Sequence, residues 1–211
     1  GWSVGNYSIS HVNALTNVGK LPFIWSVACV NGDFVTNFCF AEAWMRATHN
    51  DEPTGAIGTM MSTINQAWQP PQTGQDEMVG ILAEGFANNI KRTFGGTSIN
   101  GSMKMLDVHG ASGKETHDTW VLFGDPTLMV RTDIPQDMIV SHNPTLFLGS
   151  STFTVNCDTD DAIVAISYED NDGEVHLLAS TKVEGGVASI TFDEPITTPV
   201  DLIVAVFAYN K

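Results

Sequence analysis

Residues 21–34, "LPFIWSVACVNGDF", pass from an unbroken apolar run into Ala28-Cys29 and then into Asn31, Gly32 and Asp33. Continuous Phe, Ile, Trp and Val without polar alternation predict a strand buried on both faces of a parallel sheet. In open α/β sheets, ligands meet the carboxyl ends of the strands, where loops and helix N-termini converge. Cys29 falls at such an end. Two readings of its thiol compete. Free cysteine is among the most buried residue types, which favours an inert residue closing the strand. A nucleophile needs more than position: at a pKa of about 8.5 only a few per cent of a free thiol is ionised at neutral pH, so a histidine must sit beside it.

Outward from that strand the pattern alternates. Upstream, "SISHVNALTN" (8–17) carries Ile9, Val12 and Leu15 at helical spacing, with Ser8 or Ser10 as caps. Downstream, "TNFCFAEAWMRA" (36–47) predicts a helix with Phe38, Ala41 and Met45 on one side, and "TGAIGTMMST" (54–63) a second buried strand. A second helix is predicted in "GQDEMVGILAEGF" (74–86), its Asp76 and Glu77 placed at the positive end of the helix dipole. Strand, helix, strand, helix is the grammar of an α/β sheet. The Gly- and Ser-rich stretch around His109-Gly110 reads as a surface linker, and "GDP" (124–126) as a turn.

After "DTWVLFGDPTLMVRTD" (118–133) the pattern changes. From Pro135 the apolar runs are short: "MIVSH", "STFTVNC", "DAIVAISYED", "HLLASTKV", "GGVASITF" and "DLIVAVFAY". Turn signals such as Asn171-Asp172-Gly173 and Gly185-Gly186 separate them. Six such runs predict an all-β, immunoglobulin-like sandwich, one strand short of the simplest seven and without the Cys-Trp-Cys core of antibody domains. The expected organisation is an α/β domain over 1–133 and a β-sandwich over 134–211.

With 43% hydrophobic and 16% charged residues the chain has a globular composition. No apolar run approaches the roughly 18 residues of a membrane span. A formal net charge of -15, with nine Lys and Arg in all, argues against nucleic-acid binding. From Ile134 onward twelve Asp and Glu face Lys182 and Lys211, which is about two-thirds of the net charge. A solvated acidic face is the simple reading of the clusters at 158–161 and 169–174; structural calcium, which takes hard oxygen ligands from such loops, is the alternative. Cys29, Cys39 and Cys157 cannot all pair and lack the spacing of a zinc site. The opening "GWSVGNYS" has neither a start methionine nor a charged leader, as expected for a piece of a longer precursor.

"LPFIWSVACVNGDF", "CFAEAWMRA", "STINQAWQPP", "GQDEM", "NNIKRTFGG" and "DTWVLFGDPTLMVRT" occur in that order between His11 and Thr132. Together they resemble the gingipain family of bacterial cysteine peptidases, the arginine-specific gingipains in particular. The β-rich tail resembles that family's immunoglobulin-like domain more loosely. The resemblance implies a caspase-like sheet flanked by helices, and an endopeptidase cleaving proteins or peptides after a basic P1 residue. Cys29 would be the nucleophile, forming a thioester that water hydrolyses, and its own N–H half of the oxyanion hole. Gln66 and Trp68 would form the wall of the specificity pocket, with Val27 beside them. Where the arginine-specific enzymes have a methionine on the pocket floor, this chain offers Gln72 or a neighbour. The acidic residue that lysine-specific relatives carry after the matching tryptophan is replaced by Gln69-Pro70-Pro71, against lysine specificity of that kind. No cofactor is required for this chemistry, and a secreted or cell-surface location goes with the family.

The catalytic histidine of the family precedes the cysteine and would fall a few residues before Gly1, as would the acidic residues that orient it and select arginine. A companion N-terminal segment of the same precursor is therefore the expected partner. Among the chain's own histidines, His11 matches a helix position and precedes Val12 rather than glycine. His109 has the right dipeptide in a linker-like setting. His49, His117, His142 and His176 stand among polar residues and read as solvent-facing. Cys39 and Cys157 read as packed residues, and Asp33 and Glu42 as local caps. Two other functions fit the same residues: an inactive surface scaffold that kept the fold, or a transpeptidase working through the same thioester.

Overall fold

A computed structural model describes residues 1–35 and 38–211. Its first unit, Gly1–Val130, runs through α1 (Ile9–Asn13), β1 (Phe23–Ser26), α2 (Phe40–Arg46), a short pair β2 (Thr48–His49) and β3 (Glu52–Pro53), β4 (Gly58–Ser62), α3 (Gln69–Leu82), α4 (Phe94–His109), α5 (Ala111–Thr119) and β5 (Trp120–Gly124). The sheet has the order β1-β4-β5. β1 pairs parallel with β4, Trp25 opposite Met60, and β5 pairs antiparallel with β4, Leu122 opposite Met60. Because strand side chains alternate, the sheet has two apolar faces. Ile24, Met61 and Phe123 pack with Val12, Phe40, Ala41 and Trp44 of α1 and α2. Phe23, Trp25, Met60, Trp120 and Leu122 pack with Met78 of α3 and with Phe94 and Met105 of α4. This is the caspase-like sheet flanked by helices.

Several expectations change in detail. β1 is half-buried rather than buried on both faces, and it ends the described sheet; β4, buried at every position, is the central strand. α3 begins at Gln69, with Pro70 and Pro71 in its first turn, so Asp76 and Glu77 lie in mid-helix and not at its positive end. Proline fits there because the first N–H groups of a helix have no partner within it. Thr36 and Asn37 of the helix expected over 36–47 lie outside the described residues. Phe38 precedes that helix, is exposed, and lies against the Arg46 guanidinium, 5.3 Å from ring centre to carbon.

The Gly- and Ser-rich stretch is no linker. It is α4, capped by Thr93, whose hydroxyl accepts the Gly96 N–H at 3.1 Å. Its small residues Thr97, Ser98, Gly101 and Ser102 are buried. They are small because other helices come close: a Cβ on Gly101 would collide with the Met78 side chain and lie 2.6 Å from the Gly74 carbonyl oxygen.

The second unit, Arg131–Lys211, contains β6 (Val140–His142), β7 (Thr152–Cys157), β8 (Ile163–Glu169), β9 (Val175–Lys182), β10 (Val187–Thr191) and β11 (Ile203–Phe207). Each lies within one of the six apolar runs or overlaps it. Two antiparallel sheets, β10-β7-β6 and β11-β8-β9, enclose Phe153, Val155, Cys157, Val164, Ile166, Ala188 and Ile190. β7 shows the period of two plainly, each buried residue followed or preceded by an exposed one. Gly173, Gly185 and Gly186 adopt positive φ in the turns, where glycine alone meets no Cβ penalty. Among the described residues no helix is long and apolar enough to cross a membrane.

The turn between β8 and β9 is organised by Asp170. Its Oδ1 accepts the N–H groups of Asp172 at 3.0 Å and Glu174 at 2.9 Å, and its Oδ2 meets His176 Nε2 at 2.6 Å. The His176 contact first, and then the Glu174 N–H, hold the Asp170 carboxyl below its ordinary value. A depressed carboxyl stabilises the fold above its ordinary pKa and loses that contribution as pH falls through the folded value.

Two outcomes follow. Gly101→Ala should destabilise the first unit by about 1–3 kcal/mol through overpacking, outweighing the gain of about 1 kcal/mol in helix propensity. Denaturant unfolding followed by tryptophan fluorescence reads this, since all five tryptophans (Trp2, Trp25, Trp44, Trp68, Trp120) belong to that unit. Gly74→Ala, whose Cβ would meet the flexible Met105 side chain at 3.0 Å, should cost less. In acid titrations followed by NMR, the component of the Asp172 and Glu174 amide shifts that Asp170→Asn removes should have its midpoint below the ordinary carboxylate value of 3.8.

Candidate active site

β1 ends at Ser26, and the next residues turn sharply outward. Val27 and Ala28 are half-buried, and Cys29 and Val30 are exposed. Val30 holds φ at +48°, a left-handed conformation that costs a β-branched residue on the order of 1–3 kcal/mol. The surroundings enforce it. The Val30 N–H donates to Ile64 O at 3.0 Å, the Gly32 N–H to Ser62 O at 2.8 Å, and the Ala41 N–H to Asn31 O at 2.9 Å. Gly32 permits the approach, because a Cβ there would stand 2.6 Å from the Met61 carbonyl oxygen. Beneath the turn Asn31 is 2% exposed. Its Nδ2 donates to Ser26 Oγ at 3.3 Å and its Oδ1 accepts from the Gly1 nitrogen at 2.8 Å. Ser26 Oγ also accepts the Trp2 indole N–H at 2.8 Å.

Cys29 opens on a cleft of about 520 Å³ lined by residues 1–4, 27–29 and 66–68. The structure thus gathers Val27, Cys29, Gln66 and Trp68 around one hollow. The Cys29 thiol donates to the Gln66 carbonyl at 3.8 Å. The Gln66 side chain is tied elsewhere, its Oε1 accepting the Trp120 indole N–H at 2.8 Å. Trp68, at the N-cap of α3, is 81% exposed and offers a bare ring to the cleft. Gln72 is exposed on the first turn of α3 and is not among the described residues lining the cleft. Hollows of about 480 and 620 Å³ in the second unit, around Leu146 and Phe153, have no cysteine among the described residues that line them; His142 and Asp201 line the larger.

No histidine is among the described residues that line the cleft. His11 is exposed on α1, its Nδ1 accepting the Ser8 N–H at 3.1 Å. His109 closes α4, half-buried, 2.8 Å from Thr73 Oγ1. His117 meets the buried Ser102 hydroxyl at 2.6 Å, and His176 meets Asp170, so neither simply faces solvent. All three cysteines are free. Cys39 is the N-cap of α2 rather than a residue on its face; its N–H donates to Glu42 Oε2 at 2.8 Å, and burial pushes its thiol pKa up. Cys157 is buried in the sandwich core. Sequence reading missed two contributors: Trp2, which braces Ser26, and Trp120, which holds Gln66 from 54 residues away. No local pattern announces either.

The acidic clusters of the second unit serve local turns. Asp160 accepts the Gly186 N–H at 2.9 Å, and Asp161 pairs with Lys182 at 3.3 Å. Asp170, Glu174 and His176 bring one ligand atom each within 4.8 Å of one another. Two carboxylates and an imidazole differ from the all-oxygen sets that calcium takes.

Comparison with known proteins places this geometry. Residues 1–131 match the model of peptidase family C25, and residues 142–211 match that of the C-terminal ig-like domain of the same family. Gingipain R2 of Porphyromonas gingivalis is 44% identical over all 211 residues, and the chain spans 28% of that relative's length. A crystal structure of the Arg-specific cysteine proteinase gingipain R superimposes with a TM-score of 0.92 at 42% identity, over 99% of this chain and 48% of the other. A complex of the pro- and mature domains of RgpB from the same organism gives 0.91 at 44% identity, over 100% and 49%.

Burial alone separates the three thiols, and that is measurable. Under native conditions iodoacetamide should modify Cys29 and leave Cys39 and Cys157 untouched until denaturant is added, as peptide mass mapping would show.

Proposed function

The chain belongs to peptidase family C25, and from that premise we propose that it supplies the nucleophile of a cysteine endopeptidase, Cys29, acting on peptide bonds that follow a basic residue. One observation carries the assignment. The thiol on the turn after β1 is exposed at the lip of the cleft that Val27, Gln66 and Trp68 help to line.

In this reading the Cys29 thiolate attacks the scissile carbonyl carbon, forming a C–S bond as the carbonyl π pair moves onto oxygen. The Cys29 N–H donates to that oxyanion, and one such donor is worth about 3 kcal/mol. Collapse breaks the C–N bond, and the departing amine takes the proton that an imidazolium had received from the thiol. Water then attacks the thioester, gives its proton to the imidazole, and releases the carboxylic acid and the thiolate. The imidazole comes from a companion segment of the same polypeptide. The relatives' greater length supports this, since the chain spans only 28% of gingipain R2. Preference for a basic P1 residue is supported by the name of the Arg-specific gingipain R and by the bare Trp68 face, against which an alkyl stem packs and a cation is attracted. An extracellular or cell-surface site of action goes with this assignment.

The test uses the polypeptide with its companion segment. Cys29→Ala should lower hydrolysis of an Arg- or Lys-containing peptide amide by at least about a thousandfold. A chloromethyl ketone with a basic P1 residue should label Cys29 alone. Hydrolysis surviving in Cys29→Ala would remove Cys29 from the mechanism, absence of both labelling and turnover in the wild type would favour a scaffold, and products joined to an added amine would make the enzyme a transpeptidase.

A further inference from the structure

We propose that Trp120 is a positioning residue for this cleft: its indole N–H holds Gln66, and through Gln66 it fixes both the carbonyl facing the Cys29 thiol and the wall that the substrate side chain meets. The inference rests on the assignment of Cys29 as nucleophile. Trp120 is the first residue of β5, is 6% exposed, and packs in the cluster of Met60, Met78, Phe94 and Met105. A ring packed that closely is held in place by its neighbours. A buried indole N–H needs an acceptor, and the Trp120 N–H has Gln66 Oε1 at 2.8 Å.

Gln66 therefore works in two directions. Its side chain is anchored in the core, while its main-chain oxygen accepts from the Cys29 thiol. Upstream, the segment leaving β4 is held by backbone and hydroxyl bonds: the Thr63 N–H to Thr119 O at 2.9 Å, and Ser62 Oγ to Ile64 O at 3.0 Å. β4 ends at Ser62, and beyond Ile64 the Trp120 bond ties Gln66 to the core. Ala67 and Trp68 follow Gln66 directly and are exposed. If Gln66 swings free, the wall they form moves with it. Trp120 touches no substrate in this scheme; it acts through Gln66.

Kinetics with a peptide amide bearing a basic P1 residue, on the polypeptide with its companion segment, test this. Trp120→Phe keeps a ring and deletes the donor; Gln66→Leu deletes the acceptor; Gln66→Glu retains it. Trp120→Phe and Gln66→Leu should each raise KM about three- to tenfold, the range of one hydrogen bond, with kcat changed by less than about twofold, the mark of lost uniform binding. Gln66→Glu, which keeps an acceptor for the indole N–H, should raise KM less than Gln66→Leu does. The double variant should be no worse than the worse single one, because both break the same bond. Additive effects, or an unchanged KM in Gln66→Leu, overturn the proposal. Should Trp120→Phe fail to fold, the two half-exposed Gln66 variants decide: a KM difference between Leu and Glu supports the role, and equal values refute it. Cys29→Ala separates the levels. If it still turns over substrate, the nucleophile assignment falls and this inference with it; if it is inert while the Gln66 and Trp120 variants bind normally, the positioning role alone falls.

Discussion

The site depends on two backbone hydrogen bonds made after β1 has ended: Val30 N–H to Ile64 O, and Gly32 N–H to Ser62 O. They carry the β1–β4 pairing, whose last partners are Ser26 and Met61, around a turn that would otherwise diverge from the sheet. Val30 pays for its left-handed backbone through them, and Gly32 allows the close approach that makes them. Their consequence is geometric: residues 29 and 66, 37 positions apart, face each other across a few ångströms. The turn that carries the thiol is held by main-chain bonds to the central strand and the segment leaving it, and the carbonyl and wall that face it are tied to the core through the buried Trp120 indole. Rigid support of that kind lets a site hold its geometry.

The fold was legible where periodicity carries it. The six runs after Pro135 became six strands because alternation such as Phe153, Val155 and Cys157 admits one buried face, and because Asn171-Asp172-Gly173 and Gly185-Gly186 supply positive-φ turns. It was illegible where residue size answers to a neighbour. The Gly- and Ser-rich stretch has the composition of a loop, yet it is a 16-residue helix: Gly101 is small because α3 lies against it, Ser102 meets His117 of α5, and Gly95 lies against Pro126. Helix propensity counts the cost of glycine and cannot see the packing that repays it. α3 was misplaced because Asp76 and Glu77 read as a helix start; it begins at Gln69, with Pro70 and Pro71 in its first turn, and the two acids fall in mid-helix.

The candidate site divides along the same line. The place of Cys29 after an apolar run suited an inert thiol as well as a reactive one; the blocks that resemble the gingipains singled out Cys29, Val27, Gln66 and Trp68, and the structure gathers these four around one cleft. The bracing residues were not legible in this way. Trp2 and Trp120 act through partners 24 and 54 positions away, and only the folded chain brings these together. The histidines erred in the other direction. His109 and His117 looked like surface residues because polar neighbours surround them in sequence, yet Thr73 and Ser102 meet them across helix–helix contacts. Neighbours in sequence are a poor guide here, since Asp107, Glu115 and Asp118 are exposed while the two imidazoles are half-buried against another helix.

The three cysteines provide an internal comparison that bears on what Cys29 is for. Cys39 and Cys157 are 7% and 3% exposed, and each sits where a small apolar side chain fills space. An inert cysteine gains from such burial on the order of 1 kcal/mol or more and has no reason to forgo it. Cys29 does forgo it. It is exposed, it precedes a residue in a strained conformation, and its turn is fastened by a buried asparagine and by the backbone of β4. Stabilising interactions used to hold an exposed thiol in one place are hard to explain by packing. They are what a reaction requires when the attacking atom must meet a carbonyl carbon within a few tenths of an ångström.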